Sequence, residues 1–158
     1  MVEDAKFEDG GDQPLHLKAL DAEDLAVISA LAQDAILPAP EMRFDMDRRR
    51  FALLLNRFRW EDVPAAQTRG RPPERVQTLL WFEDVLSVAS TGIDRNDPDL
   101  ILSLLAISFT PGVDGTGRIE LTLAGDGAIA LNVEALDATI KDVTRPYIAP
   151  SKHIPTHD

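Results

Sequence analysis

Between Phe51 and Glu61 the chain reads FALLLNRFRWE. An apolar run there ends in an amide, two guanidinium groups, an indole and a carboxylate: Asn56, Arg57, Arg59, Trp60 and Glu61. Polar, charged and aromatic groups crowded at the end of a strand are the ingredients of a recognition site. Guanidinium forks grip carboxylates and phosphates bidentately, so the small molecule suited to such a site is an anionic metabolite, bound or turned over. Just upstream stand three consecutive arginines, Arg48, Arg49 and Arg50. From Glu41 to Arg75 nine arginines face six acids, a local balance of +3 in a chain whose net charge is −11. The function expected first is therefore a non-enzymatic binding module that docks an acidic protein partner through this arginine-bearing segment. The competing reading is that the arginines pair with the chain's own acids.

The remaining candidates for chemistry are weaker. In Leu123-Ala124-Gly125-Asp126-Gly127-Ala128-Ile129 two glycines flank an aspartate, as a phosphate loop or a tight turn would. Ile119, Leu121 and Leu123 alternate with polar residues before it, and Ile129, Leu131 and Val133 do so after it. A three-residue loop Gly125, Asp126, Gly127 pairs Leu123 with Ile129 and Leu121 with Leu131, with Gly127 at the position of positive φ. A phosphate loop would also need a helix directly behind the glycines, so the reading is a structural turn. His153 and His157 have the spacing of a helical metal pair, but Pro150 and Pro155 oppose a helix there. Asp94-Arg95-Asn96-Asp97-Pro98-Asp99 lacks the glycine that a calcium loop needs at its sixth position. Glu61-Asp62, Glu83-Asp84, Glu120 and Glu134 could converge only if the fold brought them together. No metal and no cofactor is expected.

These residues need elements to hold them. Leu20-Asp21-Ala22-Glu23-Asp24-Leu25 marks a helix start, with Asp21 as cap and Leu20 and Leu25 as a hydrophobic staple. Apolar residues at three- and four-residue spacing then predict a helix over Asp21–Leu37. Met42–Met46 and Phe51–Trp60 alternate as a hairpin, Val63–Pro73 reads as a loop, and Arg75–Ile93 reads as two strands or one bent near Glu83-Asp84. One helical turn from Asp97 to Leu102 precedes a strand over Leu104–Thr110. Leu136, Ile140 and Val143 suit a short C-terminal helix, with an extended alternative. The class is α+β: a single domain over 15–148 with a mostly antiparallel, twisted sheet of about six or seven strands, one long N-terminal-half helix and a short C-terminal helix. A pleckstrin-homology-like, partly closed barrel is the alternative arrangement. Residues 1–14 read as a flexible acidic tail and 149–158 as a Pro-rich surface tail.

Composition narrows the partners. Without cysteine there is no disulfide, thiolate nucleophile or cysteine-ligated metal. The negative charge argues against nucleic acid and anionic membranes, which need a positive field. An acidic N-terminus and the lack of a long apolar run point to a soluble, cytoplasmic protein. A homo-oligomer through an exposed strand edge stays open.

Four segments in order, LKALDAEDLAVISALAQDAI, RRRFALLLNRFRWE, GIDRNDPD followed by LSLLAISF, and IELTLAGDGAIALNVEALDATIKDV, resemble the bacterial domain-of-unknown-function family 2948 over about residues 15–148. The resemblance implies a small single-domain protein with no assigned activity, and it carries over no catalytic residue.

Overall fold

A computed structural model describes residues 13–148 apart from 71, 73 and 95. Both expected tails lie outside the described residues, except for positions 13 and 14. The strands are β1 (His16–Ala19), β2 (Ile36–Pro38), β3 (Arg43–Asp45), β4 (Arg50–Phe58), β5 (Glu74–Phe82), β6 (Val85–Thr91), β7 (Ile101–Pro111), β8 (Gly117–Leu123), β9 (Ala128–Val133), β10 (Ala138–Asp142) and β11 (Tyr147–Ile148). The helices are α1 (Ala22–Ala32) and α2 (Val63–Thr68).

All strands join one antiparallel sheet in the order β1-β10-β5-β4-β2-β7-β8-β9-β6, with β3 on β4 and β11 on β5. Eleven strands among the described residues replace the smaller number expected, because β1, β2 and β11 are too short to show a period of two and β10 reads as a helix. The path runs open from β1 to β6, so the sheet takes the open form and not the barrel-like alternative. β5 passes into β6 at Asp84, where φ is +56°, at the place where the sequence suggests a break.

Asp21 caps α1 as expected, accepting from the Asp24 amide at 2.8 Å. The staple does not form, since Leu20 is 63% exposed while Leu25 is buried. The helix also stops earlier than its periodicity suggests. Asp34 takes φ +65°, its amide donates to the Leu104 carbonyl at 2.7 Å, and Ile36–Pro38 continue as β2 against β7. Backbone pairing with β7 outcompetes another helical turn. Leu25, Ile28 and Ala32 of α1 join Leu53, Leu55, Leu80 and Phe82 in the core beneath the sheet.

Two further helical expectations give way. Ile101 opens β7 where a helical turn to Leu102 is expected. The segment from Ala135 forms β10, not a C-terminal helix: Ala138, Thr139 and Ile140 are all buried, held between β1 and β5. A strand covered on both faces loses its alternation, and the spacing of Leu136 and Ile140 then imitates a helix. The expected loop at Val63–Pro73 instead contains α2.

The β8–β9 hairpin forms with its apolar faces as expected, but Leu121 pairs with Ile129 and Ile119 with Leu131. The loop is Ala124-Gly125-Asp126, closed by the Leu123 amide on the Gly127 carbonyl at 2.8 Å. Positive φ falls on Gly125 (+80°) and Asp126 (+69°), not on Gly127; consecutive positive values suit a primed hairpin turn.

Candidate functional site at the end of strand β4

Strand alternation divides the expected recognition residues between two faces. Phe51, Leu53, Leu55 and Arg57 point inward on β4, opposite Phe82, Leu80, Thr78 and Val76 of β5. Leu54, Asn56 and Phe58 point outward, opposite Leu79, Gln77 and Arg75. The candidate cluster is therefore two structures back to back.

The inward half is an ion network. Arg57 is 0% exposed. Its Nε and Nη2 donate to Asp142 Oδ1 and Oδ2, both at 3.1 Å, and its Nη1 and Nη2 donate to Glu61 at 3.0 and 2.8 Å. Asp142 is also saturated, accepting in addition from the Thr78 hydroxyl at 2.8 Å and the Leu15 amide at 2.9 Å. Burial acts to lower the pKa of Arg57, but hydrogen bonds and charge from Glu61 and Asp142 outweigh it and hold the group above its ordinary value. Arg59, also buried, meets Glu74 and, at 3.5 Å, Asp62 through its Nη1. Its Nε and Nη2 make no hydrogen bond among the described residues. Arg57, clamped between two carboxylates, fixes structure and has no donor left for a ligand.

The outward half is differently composed. Phe58 and Trp60 meet as tilted rings, 49° between planes with centroids 4.9 Å apart, and the Trp60 indole donates to the Gln33 carbonyl at 2.9 Å. The Arg75 guanidinium carbon sits 5.6 Å from the centre of the Phe58 ring. Arg75 Nε donates to Asn56 Oδ1 at 2.6 Å and Nη2 to the Asn56 carbonyl at 3.0 Å. The Asn56 amide in turn donates to the Tyr147 hydroxyl at 2.6 Å. Arg75 is 9% exposed, and no carboxylate lies within ion-pair distance of it among the described residues. Burial lowers its pKa against the opposing influence of Tyr147 and Asp34. Its Nε and Nη2 are thus engaged by Asn56, and Nη1 makes no hydrogen bond among the described residues.

The arginine triplet lies elsewhere. Arg50 is at the opposite end of β4, about 25 Å from Phe58 at the usual rise of a strand. Arg48 Nε stands 3.9 Å from Asp45, Arg49 pairs with Glu134, and Arg50 Nη2 pairs with Glu83 at 3.0 Å. Each thus faces an acid of its own chain, and the arginine-rich segment is two separate sites. Gly125, Asp126 and Gly127 lie on a third, in the β8–β9 turn.

Three cavities accompany these groups. A groove of about 350 Å³ on the outer face is lined by Ile36, Pro38, Glu41, Leu54, Asn56, Gln77 and Ile101. A second, of about 230 Å³, opens between Met42 and Phe44 on one side and Val88 and Ser90 on the other. A third, of about 490 Å³, lies beside Glu74, Asp142 and Arg145. Among the described residues no group of three histidines or acids is placed to hold a metal ion, and no helix is long and apolar enough to cross a membrane. His153 and His157 lie outside the described residues.

Sequence reasoning missed Arg75 as a site residue, along with Tyr147 and Asp142. Arg75 is recoverable from the hairpin-like pairing of β4 with β5, which puts it opposite Phe58; Asp142 carries no local signal, because its partner is 85 residues away.

A family model described as protein of unknown function (DUF2948) matches residues 15–157. No curated protein and no solved structure matches the chain.

Proposed function

We propose, for a chain that belongs to the DUF2948 family of proteins of unknown function, a binding module that takes a small anionic ligand on the outer face of β4 and β5. The observation that carries this reading is Arg75: a largely desolvated cation held by the neutral acceptors of Asn56, with no hydrogen bond on Nη1 among the described residues. Removing a guanidinium from water without supplying a carboxylate costs free energy, and a bound carboxylate or phosphate would recover it. Asn56 and Tyr147 supply neighbouring polar groups, and Phe58 and Trp60 a rigid base beneath them.

The test is thermal unfolding with inorganic phosphate and with short carboxylates, on the native protein and on Arg75→Gln. Binding to the folded state alone raises the melting temperature, by about 2.7 kcal/mol of stability at a hundredfold excess over Kd. A rise in the native protein that disappears in Arg75→Gln supports the reading. Equal rises in both, or none in either, refute it.

Docking of an acidic protein partner through Arg48, Arg49 and Arg50 is the second reading. Its support is the Arg48 side chain, 72% exposed and only distantly paired with Asp45. A partner acid would also have to displace Glu134 and Glu83 from Arg49 and Arg50.

A further inference from the structure

The 350 Å³ groove and Arg75 share a wall. Antiparallel partners stand side by side on one face, so the outer surface is built in rows. Tyr147, Arg75 and Phe58 form the first row, and Gln77, Asn56 and Ile36 the second. Leu54 of β4, two residues on from Asn56, stands in the third, and the register of β2 with β7 sets Pro38 beside Ile101. Asn56 belongs to both sites: its side-chain oxygen holds Arg75, and the residue lines the groove. Beyond Asn56 the surface turns apolar, with Leu54, Pro38 and Ile101, the last 56% exposed. Of the residues that line the groove one is charged, Glu41, which follows Pro38 by three positions.

A cation at one end, an apolar floor, and an anion at the other end together describe a ligand. The geometry points to an unbranched aliphatic monocarboxylate, its carboxylate on Arg75 Nη1 and its chain lying over Asn56 onto Leu54 and Ile101. Rows along a strand are about 7 Å apart, so the chain covers about 13 Å, the length of an extended acid of roughly eight to ten carbons. Glu41 turns away a second carboxylate at the tail by like-charge repulsion, which separates monocarboxylates from dicarboxylates of the same length. This inference rests on the anion-binding reading and specifies its ligand.

The experiment measures dissociation constants by calorimetry for acetate, butanoate, octanoate, octanedioate and inorganic phosphate. The proteins are the native chain, Arg75→Gln and Ile101→Asp, each first checked for folding by circular dichroism. Each methylene laid on the groove tightens binding roughly two- to fourfold, the upper limit being full burial. Octanoate then binds at least tenfold more tightly than butanoate, and octanedioate at least tenfold more weakly than octanoate. Ile101→Asp removes the dependence on chain length and leaves acetate and phosphate unchanged, while Arg75→Gln weakens every ligand. Affinity that is flat across the series overturns the aliphatic assignment and leaves the anion-binding reading standing. A dependence on chain length that survives intact in Arg75→Gln overturns the anion-binding reading, and the head-group placement with it. Heat from none of the ligands overturns both. Should Arg75→Gln fail to fold, Arg75→Lys replaces it: the lysine keeps the charge but not the fork, and unchanged octanoate affinity in that variant refutes the contact.

Discussion

Replacing Arg57 by methionine isolates the network inside the end of β4. The substitution keeps the aliphatic volume and deletes the donors that serve Asp142 at 3.1 Å and Glu61 at 2.8 and 3.0 Å. Glu61 is exposed and turns to water at little cost. Asp142 cannot: it is 7% exposed and retains only the Thr78 hydroxyl and the Leu15 amide. Breaking a buried pair from one side costs about 3–5 kcal/mol, because the other charge is stranded. Against a total stability of about 5–15 kcal/mol for a domain, this is a large fraction. With a urea m-value of about 2 kcal/mol per molar, the midpoint falls by about 2 M. Asp142→Asn strands Arg57 in turn and costs a similar amount. The double variant removes both charges, so it falls about 2–4 kcal/mol short of the sum of the two singles. The assay is urea unfolding at neutral pH followed by tryptophan fluorescence and circular dichroism. If Arg57→Met costs under about 1 kcal/mol, or the double variant equals the sum within about 0.5 kcal/mol, the clamp is not the device described here.

The sign of the Arg57 shift adds a pH expectation. A group whose folded pKa is raised contributes stability below its unfolded value and loses it only as pH rises through the folded one. Because the Arg57 pKa is held above its already strongly basic ordinary value, the difference in stability between native protein and Arg57→Met stays flat on the alkaline side from pH 7 to pH 10, and a steep fall in that range would contradict the assignment. At Gly92 a Cβ would lie 2.9 Å from the Asp126 carbonyl oxygen at φ +70°, so Gly92→Ala costs about 1–3 kcal/mol in chemical unfolding, whereas Gly127→Ala, in ordinary contact at 3.5 Å, costs less than half as much. Asp21→Ala removes the cap on the Asp24 amide and costs about 1 kcal/mol by the same measurement. Reversing Arg48 alone to glutamate changes stability by under about 1 kcal/mol, since its contact with Asp45 is an exposed pair.

The hairpin of β8 and β9 shows what a sequence pattern can and cannot carry. Alternation identified both strands and their buried faces, yet the pairing is displaced: Leu121 meets Ile129, where Leu131 is expected. A slip of two residues in partner leaves every side chain on its own face, so hydrophobic pattern alone cannot separate the two registers. The turn decides, through the positive φ of Gly125 and Asp126. β10 illustrates the opposite limit, a strand whose burial on both faces erases the alternation that would have identified it. At the site, the same alternation already sets Arg57 beside Leu53 and Leu55 on the inward face. What it lacks is the acid: Asp142 arrives from a strand that the local pattern disguises as helix, so a structural clamp reads as a recognition group. Arg75 suffers the converse. That no carboxylate among the described residues reaches ion-pair distance of it is a property of the folded arrangement, and an arginine with six acids nearby in sequence gives no hint of it.

The place of β1 sets a timetable for synthesis. His16–Ala19 emerge first among the strands, yet their partner is Ala138–Asp142, and Leu15 is bonded to Asp142 across 127 positions. At the usual pace of translation, more than a hundred residues correspond to about ten seconds. For that interval the first strand has no sheet to join, while β4, β5 and β6 through β9 can pair with near neighbours. Such distant pairing forms late and slowly. Closure of the sheet's leading edge, and burial of the Asp142 carboxylate against Arg57, therefore waits until Ala138–Asp142 have left the ribosome, and a ribosome-stalled fragment ending before Ala138 would carry its β1 segment open to proteases.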